Sequence, residues 1–437
     1  MGEFSDKTVC VYDRGNYAEL AIRLSRDFGR TLYFKPNKEA SPNSFDLSIG
    51  DGFEGVERVR SFWKHLKDVD LFVFPDCYDG DIQLHLESLG KRVWGSRDAE
   101  NFEFMREFFK KTLKEVGLPV SPYEVVVGMD NLEIFLKENE DRAVKISYAR
   151  GDRETWVHKN YNLSKPKLDA MRYYYGPNGK HVRFVVEELI ETDIEVAYDG
   201  FCVDGKFPKT AFQGFEIKNE SYIMTIQDYD DLPEEVREVN DKFAPKLAEK
   251  RFRSQWGTEI RVADKNYFLD ATCRSPEPPG SIVLEMVENL AELLWHGADG
   301  ELVELETAAP FAAQVMIYSG WADENWQPIE CPKEMRKWVK LFSPCRRDGV
   351  DYVVPEKVEN PVGGGNEHVG SVIAFGETIA DAIDLVKERC EAISGTDITF
   401  TVESLAEGLN RIHESEKAGL KFTDQEVPDP SSVIEGG

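Results

Sequence analysis

Residues 267–280, YFLDATCRSPEPPG, bring an acid, a hydroxyl, a thiol and an arginine to the end of an extended run, which three prolines then stop. Just upstream, TEIRV carries Glu259 and Arg261. If the two runs fold back on each other with Asp264 and Lys265 at the tip, Glu259 faces Asp270. Side chains alternate along a strand, so Glu259 and Arg261 then share a face with Phe268, Asp270, Thr272 and Arg274, and Ile260, Leu269, Ala271 and Cys273 take the other. Opposed carboxylates repel by about half a kcal/mol or more unless a cation lies between them. Magnesium suits that place, because it takes oxygen ligands, one or two carboxylates at a time, and completes its shell with water and phosphate. Arginines on the same face suit a phosphorylated species. A solvated pair of strands with mixed charges gives the same pattern, and a one-residue bulge would separate the acids.

The flanking sequence supplies elements able to hold such a hairpin. The first 95 residues alternate apolar runs with helical stretches: TVCVY, NYAELAIRLSRDFG, TLYF, VERVRSFWKHLKDV, DLFVF, DIQLHLESLG and RVWG. Runs without polar alternation predict a small parallel sheet covered on both faces. Asp13, Arg14, Gly15 and Asn16 follow the first run where a G-x-G-x-x-G would stand, which disfavours a dinucleotide enzyme. In FEFMREFFKKTLKEVG, Met105, Phe108, Phe109, Leu113 and Val116 share one face of a helix that Gly117 and Pro119 end. Strands are expected at YEVVV, AVKIS, VRFVVEEL and IEVAYDGFCV, with helices near 234–252 and over 281–296. Beyond residue 310 come AAQVMIYS, GSVIAFG and the helix TIADAIDLVKERCEAISG, opened by a capping box of Thr378 and Asp381. Residues 356–368 read as a glycine-rich flexible loop, and those after 414 as a loose polar tail.

A chain of 437 residues that is 41% hydrophobic can fill two to four packed units. It has no run of about 18 apolar residues and no apolar signal core, so a cytoplasmic protein with no membrane partner is expected. Seven cysteines and seven histidines form no C-x-x-C or H-x-x-x-H pattern, which argues against a thiol–metal site and a disulfide framework. Acids outnumber bases by 81 to 53, and the net charge of -28 repels duplex nucleic acid, although a local basic pocket can still take a nucleotide.

Between residues 95 and 306, and again between 311 and 400, the chain resembles the ATP-grasp superfamily, most of all glycinamide ribonucleotide synthetase. The resemblance rests on VGLPVSPYEVV, on the lysine of AVKIS, on VVEELIETDIEV, and on TEIRV followed by FLDATCRSPEPPG. The order of FAAQVMIYSG, HVGSVIAFGETIADAI and the closing helix extends it. It implies an α/β (α+β) architecture: a parallel-sheet domain over 1–95, an ATP-grasp nucleotide-binding domain over 96–309, a small β-rich domain over 310–413 and a tail over 414–437.

The resemblance also implies ATP and Mg2+, with roles for particular residues. Lys145 would contact the α and β phosphates. The main chain of Glu188, Leu189 and Ile190 would meet the adenine edge, with Glu187 or Glu188 near its amino group and Glu195 on the ribose. Glu259, Asp270 and Thr272 would hold the metal, and Arg274 and Arg261 would join Lys145 in catalysis, Arg274 steadying the transferred phosphoryl group. Arg106 occupies the place of the family's first nucleotide lysine, with Lys110 one turn on. In YARGDRETW, Arg150 and Arg153 stand where the family has a glycine-rich lid, expected here over 147–156.

Several positions depart from the family pattern. Asp270 replaces a glutamate and Thr272 an asparagine, which shortens one metal ligand and weakens another. DRGNYAELA replaces the family's G-x-G-G-R-E-H-A phosphate loop, and QGFEIKNESYIMTIQDYDDLP replaces a longer insertion. The amine is therefore expected to be other than phosphoribosylamine, with Arg14, Asn16 and Lys218 as candidates to recognise it. The implied reaction joins a small-molecule carboxylate to an amine through an acyl phosphate, in a monomer or homodimer. A small-molecule kinase and a nucleotide-binding protein without catalysis are the alternatives.

Overall fold

Apolar runs that do not alternate with polar residues need cover on both faces, and the central strands of the first sheet find it. In the computed structural model, which describes residues 2–36, 48–147, 155–192, 194–355 and 368–434, β1 (Thr8–Tyr12), β2 (Arg30–Phe34), β3 (Val56–Val59), β4 (Leu71–Val73) and β5 (Arg92–Trp94) form a parallel sheet in the order β3-β2-β1-β4-β5. Helices α1 (Ala18–Leu24) and α2 (Gly80–Ser88) connect them, and Val9, Cys10, Val11, Leu71, Phe72 and Val73 are fully buried. One expectation fails here: VERV opens no helix but forms the edge strand β3, whose half-exposed residues suit an edge, and only a short 3-10 turn, Phe62–His65, follows. Strand order reverses between β1 and β4, so their following loops diverge and leave a crevice at the carboxyl ends.

The long amphipathic helix is interrupted. At Met105, with φ -92° and ψ 74°, it divides into α3 (Asn101–Phe104) and α4 (Arg106–Glu115). The apolar period continues across the break, because Phe102, Phe109 and Leu113 are all buried, so periodicity alone does not show it. Next come β6 (Tyr123–Val127), α5 (Met129–Glu138), β7 (Arg142–Ile146), β8 (Thr155–His158), α6 (Tyr161–Tyr175) and β9 (Arg183–Glu188), whose strands form an antiparallel sheet in the order β6-β9-β7-β8.

A second antiparallel sheet joins β10 (Glu195–Val203), β13 (Arg253–Val262) and β14 (Asn266–Thr272). Helix α7 (Glu234–Glu249) seals one face, where Val239, Phe243 and Leu247 pack into one core with Trp256, Ile260 and Phe268. The helix expected over 281–296 is two, α8 (Gly280–Met286) and α9 (Leu290–Ala298).

Hairpin β11 (Thr210–Ile217) and β12 (Ser221–Asp228) pairs through β12 with β15 (Phe311–Ser319), which continues to β20 (His368–Gly376) and β17 (Val339–Leu341). The expected division at residue 310 therefore runs through a sheet. Strands β16 (Gln327–Glu330), β18 (Pro344–Arg347), β19 (Val350–Val353) and β21 (Ser394–Gly395) form a smaller sheet, and β22 (Ile398–Phe400) pairs with β15. Helix α10 (Ile379–Glu391) opens with both hydrogen bonds of the Thr378 and Asp381 capping box. The tail is not loose: after α11 (Ser404–Lys417), Leu420, Phe422 and Val427 are buried, and Val433, on α12 (Ser431–Ile434), is buried as well. The expected glycine-rich loop lies outside the described residues except for His368. No described helix is long and apolar enough to cross a membrane.

Candidate active site

Strands β13 and β14 place Glu259 directly opposite Asp270, and Gly257 opposite Thr272. A bulge follows at once: Ile260 pairs with Phe268 and Arg261 with Tyr267, which leaves Leu269 outside the ladder. The faces differ accordingly from simple alternation. Phe268 is 1% exposed and joins Ile260 and Ala271 in the core, whereas Leu269 is half-buried outside it.

The charge that Asp270 needs comes from the chain itself. Arg106, the first residue of α4, donates from Nη1 to Asp270 Oδ1, and Lys145 Nζ on β7 lies 3.0 Å from Oδ2. Lys145 also stands 3.6 Å from Glu187 Oε1 on β9, and Lys110 Nζ, one turn along α4 from Arg106, stands 2.7 Å from Glu187 Oε2. Lys145 and Glu187 meet because they are diagonal neighbours on one face of the β7–β9 ladder. Lys110, Lys145 and Glu187 are 3%, 5% and 2% exposed, so these charges interact with little screening by water.

Three cations thus surround two carboxylates. Burial pushes Asp270 up, but Arg106 and Lys145 together hold it well below the usual carboxylate range. Glu187 is likewise held down, burial being outweighed by Lys145 and Lys110. Burial lowers Lys110 despite Glu187. Arg106 Nε is buried without a hydrogen-bond partner among the described residues. The cluster carries a surplus positive charge and an unused donor, which suits phosphate oxygens.

Across the ladder the polarity inverts. Glu195, Asp199, Glu216, Glu259, Tyr222 and Thr272 line a cleft of about 100 Å³. Glu259 meets no hydrogen bond or ion pair among the described residues, and burial, Glu195 and Asp270 push its carboxyl up to about 7. Burial raises Asp199 to about 6, against the Tyr222 hydroxyl that donates to it at 2.5 Å. Lys218 lies close enough to draw Glu216, Glu195 and Glu259 downwards.

Other residues singled out from the sequence have different partners. Arg261 Nε stands 3.6 Å from Glu195 Oε2, its neighbour across β10. Arg274 donates from Nε to Glu103 Oε1 at 2.9 Å. Glu188 already uses both main-chain groups, its N–H on Pro122 O at 3.0 Å and its carbonyl with the Ser121 hydroxyl at 2.8 Å. Ile190 O accepts from Thr192 N at 3.0 Å. Arg14 forms a bidentate pair with Asp79 at 2.9 and 3.0 Å in the crevice of the first sheet. Asn16 borders a separate small cavity with Ser275, Glu277 and Lys340. Arg150 and Arg153, with most of the expected lid, lie outside the described residues.

Sequence reasoning missed Asp199, Glu216 and Glu103. Asp199 shares the face of Glu195 by alternation along β10, a signal visible only once β10 is known to flank β13.

The metal ligands implied by the family can be weighed against this geometry. No three histidine, cysteine, aspartate or glutamate side chains among the described residues form a metal-binding group. Two opposed carboxylates and a hydroxyl remain, one carboxylate without a partner among the described residues. That oxygen-only set fits magnesium, which draws its other ligands from water and phosphate.

The fold has close parallels among solved structures. Phosphoribosylamine–glycine ligase from Thermotoga maritima superposes with a TM-score of 0.65 over 90% of this chain and 98% of that one, at 16% identity. The chain has the ATP-grasp fold. Other ATP-grasp structures agree: the biotin carboxylase domain of Hydrogenobacter thermophilus 2-oxoglutarate carboxylase, in complex with magnesium ADP, ADP and bicarbonate, gives a TM-score of 0.64 at 13% identity, covering 95% of this chain and 96% of that one. N5-carboxyaminoimidazole ribonucleotide synthetase from Thermotoga maritima gives 0.55 at 12% identity, covering 90% and 99%. The sequence matches no family model and no curated protein.

Proposed function

We propose that the protein is an ATP-dependent ligase that joins a small-molecule carboxylate to an amine through an acyl phosphate, releasing ADP and phosphate. The observation that carries the reading is the cluster of Arg106, Lys110 and Lys145 around Asp270 and Glu187, with Glu259, unpartnered among the described residues, opposite Asp270. ATP-grasp ligases among the structural neighbours support the same class of reaction.

In this reading Lys145 and Arg106 leave Asp270 for the nucleotide's phosphates, a transfer between anions that needs no new charge in the site. Lys110 and Glu187 stay paired and hold Lys145 in place. Glu259, Asp270 and Thr272 would hold magnesium, which when bound supplies neutralisation of charge on the transferring phosphate. Arg274 steadies the phosphoryl group, and alignment of the carboxylate with it lowers most of the barrier. The acidic lining of Glu195, Asp199 and Glu216 repels free phosphate and favours the approach of an amine.

The test is release of ADP with pairs of carboxylates and amines, with Asp270→Ala as the blank. Release that requires both partners supports the ligase. Release with one substrate, which becomes phosphorylated, would make the protein a kinase, and no release from any pair would leave a binding protein.

A further inference from the structure

Arg274, two residues beyond the end of β14, is gripped from α3. Glu103, on α3 and 5% exposed, accepts Arg274 Nε on Oε1 at 2.9 Å. Its Oε2 accepts the main-chain N–H of Cys273 at 2.8 Å and the thiol of Cys77 at 3.4 Å. One carboxylate therefore holds two successive residues of the strand end, one by its main chain and one by its guanidinium, and ties both to the loop after β4. Arg274 Nη1 donates to Ser275 O at 3.1 Å and lies 3.5 Å from the Tyr17 hydroxyl, which itself donates to Ser275 O at 2.6 Å. Nε and Nη1 are thus engaged. Nη2 has no hydrogen bond among the described residues.

We propose that Glu103 is the positioning residue for Arg274, fixing the guanidinium plane so that Nη2 is presented to the phosphoryl group in flight. The inference rests on the ligase reading above. An arginine serves a transferring phosphate through the orientation of its planar fork, and a fork free to rotate loses that advantage. A buried guanidinium–carboxylate pair adds little net stability compared with an apolar pair, so the contact is better explained by the orientation it imposes. The geometry at Glu103 is demanding. Its two oxygens face two N–H donors from successive residues, and a glutamine, with one oxygen and one amide nitrogen, can satisfy only one of them.

The experiment is a double-mutant cycle of Glu103→Gln and Arg274→Ala, read by binding of magnesium ADP alone and of magnesium ADP with aluminium fluoride, a mimic of the transferring phosphoryl group. Glu103→Gln is expected to keep ADP affinity within about twofold and to weaken the fluoride complex about tenfold, with no further loss when added to Arg274→Ala. With substrates that release ADP, kcat should fall about tenfold while KM for ATP holds, the mark of an interaction made only in the transition state. If Glu103→Gln fails to fold, Arg274→Lys, which keeps the charge but offers no Nε to Glu103, should lose the fluoride complex as Arg274→Ala does. Unchanged fluoride affinity in Glu103→Gln or in Arg274→Lys overturns the proposal, as do losses from Glu103→Gln and Arg274→Ala that add. A wild-type protein that binds neither ADP nor its fluoride complex sinks the ligase reading itself, whatever the variants do.

Discussion

Asp270 stands opposite Glu259 on neighbouring strands, yet the two carboxylates have opposite fates: Asp270 is held between Arg106 and Lys145, and Glu259 has no partner among the described residues. The sequence suggested that a bridging metal must relieve their repulsion. In the folded chain, two cations from α4 and β7 already compensate one of them. In the proposed reading, Asp270 therefore takes the place of the nucleotide's phosphates between Arg106 and Lys145 as well as being a candidate metal ligand.

That dual role separates two variants. Lys145→Ala removes the proposed phosphate contact and is expected to weaken ADP binding about tenfold to a hundredfold. Asp270→Asn frees Arg106 and Lys145 and should tighten magnesium-free ADP while lowering turnover. Titration calorimetry with and without magnesium checks both; a parallel loss of ADP affinity in the two variants would show that Asp270 does not compete with nucleotide.

Glu259 makes stability depend on pH. Its folded pKa, about 7, lies above the ordinary value of 4.5, so between those values the native state holds more proton than the unfolded chain. Stability from this group is full below about pH 4.5 and declines as pH rises through about 7. Relative to the wild type, Glu259→Gln should gain ~1–3 kcal/mol at pH 8 and little at pH 4.5, by urea unfolding in chelator. Equal effects at both pH values would refute the raised pKa.

The bulge predicts an order of core substitutions. Phe268→Ala should cost ~3–5 kcal/mol, because Phe268 is 1% exposed and packs on Phe109, Phe243 and Trp256. Leu269→Ala, outside the ladder, should cost less than ~1.5 kcal/mol. Chemical unfolding decides, and the reverse order would mean simple alternation through the hairpin.

Truncation after Lys417 removes the buried side chains of Leu420, Phe422, Val427 and Val433. The loss should be at least ~3 kcal/mol, since each buried apolar side chain contributes about 1.5–3 kcal/mol relative to exposure. Thermal unfolding of the shortened chain measures it, and an unchanged midpoint would restore the reading of a loose tail.

Local signals in the sequence carried part of this structure. The opposition of Glu259 and Asp270 was legible because both lie close to the hairpin tip, where few registers are open. The bulge was not, because Phe268 and Leu269 are adjacent and both apolar, so alternation cannot choose between them. Arg106 and Lys110 could be placed on one helix by their spacing of four, but the break at Met105 leaves the apolar period intact. Glu103 carries no local mark at all; the residues it positions, Cys273 and Arg274, lie 170 and 171 residues away. The tail misled because its few apolar residues are spaced without helical or strand period, and their burial is decided by the surface that receives them.

The pairing of β12 with β15 across the junction near residue 310 has a practical meaning for anyone cutting this chain into cassettes. A polypeptide stopped there would present raw, unsatisfied backbone along one margin and invite self-association. Two complementary pieces, produced together, would instead find each other along that seam, so the natural way to dissect the protein is as a split pair and not as separable modules.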